Sequence, residues 1–314
     1  MLQKAAKQGF FSGITNANYC KNGKIEDKEK ITMKMRNILA AVLSAGFIAA
    51  SLTGCAGGER KITVVSREDG SGTRSAFVEL MEVVDADGKD ATTASAEINN
   101  STNGVMMSVS GNPDAIGYIS LGSLNDTVKA VKVDGVEASA DNVKNGAYAV
   151  ARPFEICYKE ENLDDLAKDF ISFIMSKDGQ QIIADNHYIA VNSNASYTPA
   201  GLKGTISVNG STSVGPVMEK LAAKYQELNS GAVVQIQQTG SGAGITAVTS
   251  DACNIGMSSR ALKQAELDKG LTELKIADDG IAVIVHKDNK VDNLTSEQIK
   301  KIYLGELKNW SEIK

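Results

Sequence analysis

The chain has 314 residues, too many for one small domain and suited to two lobes of about 100–150 residues each. Hydrophobic residues make up 42% and charged ones 23%, an ordinary globular balance that argues against a disordered or fibrous chain. The formal charge is −5, but the first 54 residues are basic, so the other 260 carry 25 Lys/Arg against 35 Asp/Glu, about −10. A surface that acidic argues against a nucleic-acid partner and leaves local dipoles and hydrogen bonds to hold any anion. Only two histidines are present, His187 and His286, with no HExxH. Cys20, Cys55, Cys157 and Cys253 show no CxxC spacing. Neither a zinc site nor a histidine base is expected, and no cofactor or metal.

In chain order, residues 33–55 read MKMRNILAAVLSAGFIAASLTGC. Lys34 and Arg36 precede an apolar stretch over 38–50, shorter than the ~20 residues a membrane-spanning helix needs. It ends in Leu52-Thr53-Gly54-Cys55, which resembles a lipobox. Residues 1–54 are therefore read as an upstream segment and lipoprotein signal peptide, with Met1, Met33 or Met35 as the start. Cys55 becomes the lipidated N-terminus and 55–61 a tether, giving an outward-facing protein anchored in the cell membrane. Each buried CH₂ of the acyl chains contributes about 0.8 kcal/mol to that anchoring.

The β-branched run 62–66 (ITVVS) predicts a buried strand, followed by REDGSG and a helix over 73–84. Residues 85–103 are polar and small, a loop with a weak helix at most. Strands are predicted over 115–121, 128–133 and 150–158, then one helix over 163–183 with Leu166, Phe170, Phe173 and Ile174 on one face. Residues 193–203 (SNASYTPAGLK) have the composition of a linker. The pattern then restarts: strand 205–209, helix 217–228, strand 232–238, a short helix after 240–244, strand 255–257, another helix, strand 281–286 and helix 295–303. Strands alternating with helices imply an α/β architecture with mainly parallel sheets.

Four strand–helix junctions share one design: 70–73, 210–213, 240–244 and 258–260 each follow an apolar strand with glycine, hydroxyl residues or both. A helix N-terminus offers unpaired N–H groups and the positive end of a dipole, and small residues let an oxyanion reach them. Arg67 adds a planar charged fork, with Asp69 nearby to hold it. Any one such junction is what ordinary helix capping produces; four in one chain point to a shared oxyanion site. No P-loop lysine, GxGxxG or GxSxG accompanies them, which turns the reading away from a nucleotide triphosphatase, a dinucleotide enzyme or a serine hydrolase.

On 210–216 (GSTSVGP), 240–245 (GSGAGI), 255–260 (IGMSSR) and 65–73 (VSREDGSGT), supported by 279–283 (DGIAV) and 303–310 (YLGELKNW), the chain resembles the phosphate-specific substrate-binding proteins of bacterial ABC transporters. The resemblance covers nearly all of 62–314. It implies a two-lobed periplasmic-binding-protein type II fold, each lobe a mainly parallel sheet flanked by helices, closing on phosphate, with permease subunits as partners and no enzymatic activity. It also implies that Thr212, Ser213, Ser241, Ser259, Arg67, Ser71, Gly72 and Thr73 bind the anion, with Asp69 supporting Arg67. Ser259 stands where the best-known form has an aspartate that accepts the phosphate's proton. That departure keeps a sulfate-like oxyanion open as an alternative ligand, beside a surface sensor or adhesin on the same scaffold.

The order of segments also departs from the family, since the REDGSGT half precedes the GSTSVGP half. The chain reads as a circular permutant, or as a piece of a tandem pair. Lobe II is expected over 62–150 and 291–314 and lobe I over 151–192 and 204–290. Residues 193–203 then join the family's usual termini, in a chain expected to be monomeric.

Overall fold

The computed structural model describes residues 59–191, 193 and 195–313; the signal segment, Cys55 and the start of the tether lie outside them. The first half runs β1 (Thr63–Arg67), α1 (Gly72–Leu80), β2 (Glu97–Asn99), α2 (Thr102–Gly111), β3 (Ala115–Ser120), β4 (Lys129–Ala130), β5 (Lys132–Val133), α3 (Ala140–Lys144), β6 (Ala151–Tyr158), α4 (Asp165–Met175), α5 (Lys177–Asp185) and β7 (Ile189–Ala190). The second runs β8 (Gly204–Gly210), α6 (Gly215–Leu228), β9 (Ala232–Gln238), α7 (Ser241–Thr249), β10 (Ile255–Ser258), α8 (Gln264–Leu267), β11 (Thr272–Val285), β12 (Asn293–Leu294) and α9 (Ser296–Leu304). No helix among the described residues is long and apolar enough to cross a membrane.

Ten of the twelve strands form one continuous sheet, in the order β2-β1-β3-β11-β6-β10-β8-β9 with β4 and β7 added on β11, while β5 and β12 pair apart from it. At one end β1 pairs in parallel with β2 and β3; at the other β8 pairs in parallel with β9 and β10. Between these triads β6 and β11 cross, antiparallel to each other and to the strands beside them. Each triad has its own core. Val64, Val65, Phe77, Val105, Ile116 and Tyr118 bury against Ile299, Tyr303 and Trp310. Phe154, Ile156, Phe170, Phe173, Ile206, Leu221 and Tyr225 form the second. The architecture is the two-lobed α/β arrangement the sequence implied, with the antiparallel crossing strands added to the parallel triads.

The boundary between lobes differs from expectation. β11 has 14 residues, about 45 Å of extended chain at ~3.3 Å per residue, and reaches both cores. Ile276 and Ala277 bury in the second and 281–285 in the first. Residues 281–290 therefore do not belong with 204–280. The start and end of the described chain meet in the first lobe: Ile62 N–H donates to Lys308 O at 2.7 Å and Trp310 N–H to Arg60 O at 2.9 Å.

Three local readings also change. The single helix expected over 163–183 is broken at Ser176, whose backbone is extended and whose Oγ caps α5 through Gly179 N–H. The weak loop of 85–103 instead carries β2 and leads into α2. The linker is tied down: Tyr197 donates its hydroxyl to Asp169 Oδ2 at 2.6 Å, accepts from Asn229 at 2.8 Å and packs edge-on against Phe173.

Candidate oxyanion site

The helices that follow the strands of both parallel triads start at those strands' C-terminal ends. The last residues of β1, β8 and β10 are Arg67, Gly210 and Ser258. From the first lobe come the N-termini of α1 and α2, from the second those of α6 and α7. Gly70 (φ 83°) and Gly240 (φ 97°) take backbone angles that side-chain-bearing residues avoid, which is what turns each chain sharply from strand to helix.

Across the cleft the two lobes touch through small polar groups. Thr73 Oγ1 and Ser213 Oγ are 2.9 Å apart. Thr102 Oγ1 lies 3.3 Å from both Thr212 Oγ1 and Ser213 Oγ. Gly242 N–H donates to Gly70 O at 2.9 Å. Within the second lobe, Ser241 Oγ accepts Ser259 N–H at 3.2 Å and lies 3.3 Å from Ser259 Oγ. Gly72 leaves room for this approach: a Cβ there would stand 2.7 Å from Ser259 Oγ and closer still to Ser241 Oγ. Arg67, Ser71, Thr73, Thr212, Ser213, Ser241 and Ser259 are all at most 6% exposed. Gly72, Thr73, Thr212, Ser213, Ser241 and Ser259 are thus brought to one buried junction, with Ser71 capping α1 next to Gly72 and Arg67 buried at the end of β1.

The groups have distinct duties. Ser71 Oγ accepts Arg74 N–H, capping α1 and leaving its own proton to donate elsewhere. Ser211 Oγ accepts the N–H groups of Ser213 and Val214 in the turn before α6, where the hydroxyls of Thr212 and Ser213 meet those of Thr102 and Thr73 across the cleft. Gly240 caps α7 without a side chain.

Two expectations are corrected. Asp69 does not hold Arg67; Glu68 does, with Nε to Oε2 at 2.7 Å and Nη2 to Oε1 at 2.8 Å. Asp69 is 97% exposed in the turn and pairs with Arg74 at 3.1 Å. Arg67 closes β1 and its side chain is buried, so the next residue in the chain reaches the fork while Asp69 turns outward. The 258–260 junction is not a helix start, because α8 begins only at Gln264 and has four residues. Ser259 joins the site by its contact with Ser241 instead.

Thr102 was missed. It opens α2, and Ser101 Oγ caps that helix through Gly104 N–H at 3.0 Å. The signal was present, since Ser101 stands just before apolar Val105, Met106 and Val109 at helical spacing. Among the described residues no group of three or more His, Cys, Asp or Glu is placed to hold a metal. Burial pushes the Cys157 thiol up to about 12 and Cys253 to about 11, which makes both poor nucleophiles.

Such an arrangement suits a small tetrahedral oxyanion, whose charge would meet amide dipoles, hydroxyls and the Arg67 guanidinium out of water. The chain matches the PBP superfamily domain over 28–178 and 195–313. It is 40% identical over 291 residues to the phosphate-binding protein PstS 2 of Streptococcus agalactiae serotype V, covering 90% of this chain and 99% of that one. The crystal structure of a phosphate ABC transporter's phosphate-binding protein from Streptococcus pneumoniae TIGR4 is 48% identical, with a TM-score of 0.65, covering 81% of this chain and all of that one. PstS of Staphylococcus saprophyticus matches at 38% over 118 residues, 35% of this chain and 37% of its own length.

Proposed function

Because the chain belongs to the PBP superfamily and, within it, to the phosphate-specific ABC transporter substrate-binding proteins, we propose that it captures inorganic phosphate between its lobes and delivers it to an ABC permease by hinge closure. Proteins of this family bind and hand over their solute without transforming it, and the chain is not an enzyme.

One observation carries the ligand reading: hydroxyls at helix starts from both lobes meet at one buried point, in a lobe whose β1 ends in the buried Arg67. Glu68 already neutralises Arg67, so the phosphate charge is balanced chiefly by dipoles and hydrogen bonds. The anion takes donors from α1 and α2 on one side and from α6 and α7 on the other. Binding therefore favours the closed arrangement, and β6 and β11 are the segments that flex.

A sulfate-like ligand is the second reading, and Ser259 favours it. A hydroxyl there can accept the proton of phosphate, but it repels the lone pairs of sulfate less than a carboxylate would.

Two further parts of the reading rest on order and address. The match with the agalactiae protein follows this chain nearly end to end, which supports a permuted order native to this branch. The saprophyticus match spans only 35% of this chain and 37% of that one, as a relative with its segments in another order would. The lipobox at Cys55 supports a lipid-anchored chain facing outward from the membrane.

Isothermal titration of the mature chain with phosphate, sulfate and arsenate, beside a phosphatase assay, tests the function. Saturable one-to-one phosphate binding without hydrolysis is expected. No phosphate binding, or tighter sulfate than phosphate, would overturn it.

A further inference from the structure

Behind the candidate site the two crossing strands carry an ion pair. Arg152 on β6 and Asp279 on β11 are register partners, and their side chains are 2% and 1% exposed. Arg152 Nε and Nη2 both donate to Asp279 Oδ2, at 3.3 and 3.1 Å. Asp279 Oδ1 accepts from Ser120 Oγ at 3.0 Å, at the end of β3 in the first lobe. Arg152 Nη1 donates to the carbonyl of Ser259 at 3.2 Å, in the loop that follows β10 in the second lobe. The guanidinium also lies over the Phe154 ring, 5.4 Å from its centroid.

A pair withdrawn this far from water loses hydration that its mutual attraction seldom repays. β6 and β11 are already joined by a long ladder and apolar side chains, so holding them together does not require it. The bond that leaves the ladder shows what the pair does. We propose that Arg152 is a positioning residue for the anion: clamped by Asp279, it fixes the Ser259 carbonyl and through it the Ser259 N–H and hydroxyl that face Ser241.

The inference rests on the oxyanion reading above for its consequence, but not for its geometry. Ser259 follows the last residue of β10 and no helix starts there to hold it, so its carbonyl needs a partner from elsewhere. Arg152 is that partner. A guanidinium is suited to the task, because its fork can bond the carboxylate on one edge and a carbonyl on another at once; an ammonium is a single point. The relay Ser120–Asp279–Arg152–Ser259 then links the first lobe to the anion loop of the second across both crossing strands. Burial lowers the proton affinity of Arg152, and the charge and hydrogen bonds of Asp279 oppose that loss.

Three variants test this: Arg152→Lys, Arg152→Gln, and Arg152→Gln combined with Asp279→Asn. The double variant leaves no unpaired buried charge, so its fold is protected. Hydrogen exchange at the Ser259 amide in phosphate-free protein reads the pinning, and titration with inorganic phosphate reads its consequence. Exchange should quicken about tenfold in the glutamine and double variants, with phosphate affinity down about thirtyfold. Lysine should recover part of both, with affinity down by less than about tenfold. Wild-type exchange at Ser259 in the folded double variant overturns the proposal, as does phosphate affinity within about twofold of wild type. Faster exchange in the variants of a chain that binds no phosphate would support the pinning and count against the phosphate reading alone.

Discussion

Gly72→Ala separates binding from folding in one substitution. Gly72 opens α1 at ordinary helical angles, so alanine fits the backbone and shortens the list of unfolded conformations, worth about 0.4–1 kcal/mol of stability. The added methyl nevertheless meets the other lobe, at 2.7 Å from Ser259 Oγ and 3.1 Å from Ser241 Cβ. Carbon contacts settle at about 3.5 Å or more, so Ser241 and Ser259 must turn their hydroxyls out of the junction or the facing loops must retreat by at least about 0.8 Å. With that retreat the Thr73–Ser213 contact of 2.9 Å would stretch to about 3.7 Å, beyond hydrogen-bonding reach. An anion held from both sides loses comparable contacts. Hydrogen bonds to a charged group contribute about 1.5–3 kcal/mol each. Weakening two of them costs about 3–5 kcal/mol, a rise in phosphate Kd of roughly a hundredfold to several thousandfold. Calorimetric titration reads the affinity, and thermal unfolding without phosphate reads the stability. Phosphate affinity within about threefold of wild type would show that the closed contact at Gly72 is not where the anion is held.

Three other perturbations test separate elements. Glu68→Gln should weaken phosphate binding by at least about tenfold while Asp69→Asn leaves it within about twofold, because only Glu68 holds Arg67; equal effects in titration would contradict the pairing. Ser259→Asp should lower sulfate affinity more than phosphate affinity, read by competition titration, and equal losses would show that this position does not sense the proton. Burial, aided by Glu273, pushes Glu155 up to about 8, and its Oε2 has no partner. The folded chain therefore keeps a proton that the unfolded chain releases above its ordinary carboxyl range, so this contribution to stability is full at low pH and lost as pH rises toward 8. Glu155→Gln should flatten that decline and gain about 2–4 kcal/mol at pH 8 in urea unfolding, whereas a parallel pH profile would rule out Glu155 as its source.

The sequence by itself determined the strands and the chemistry at their ends. β1, β3, β6, β8 and β9 lie within a residue of where β-branched runs placed them, because burial on a sheet selects those residues locally. The glycine and hydroxyl clusters after β1, β8 and β9 do open helices, since capping and sharp turns are decided within four or five residues. Other features needed the tertiary structure. Arg67 could be matched with an acid by sequence, but choosing Glu68 over Asp69 depended on which of them faces into the cleft. Thr102 entered the site because α2 is carried by the first lobe against Thr212 and Ser213, more than a hundred residues away. β11 was legible only where it is apolar over 281–285; its first half is half-exposed and charged, and is strand because β6 pairs with it. The lobe boundary inside that strand is a matter of which core each residue reaches. Propensity and capping act between neighbours in the chain and can be read from them, whereas pairing and burial belong to partners that only the closed fold brings together.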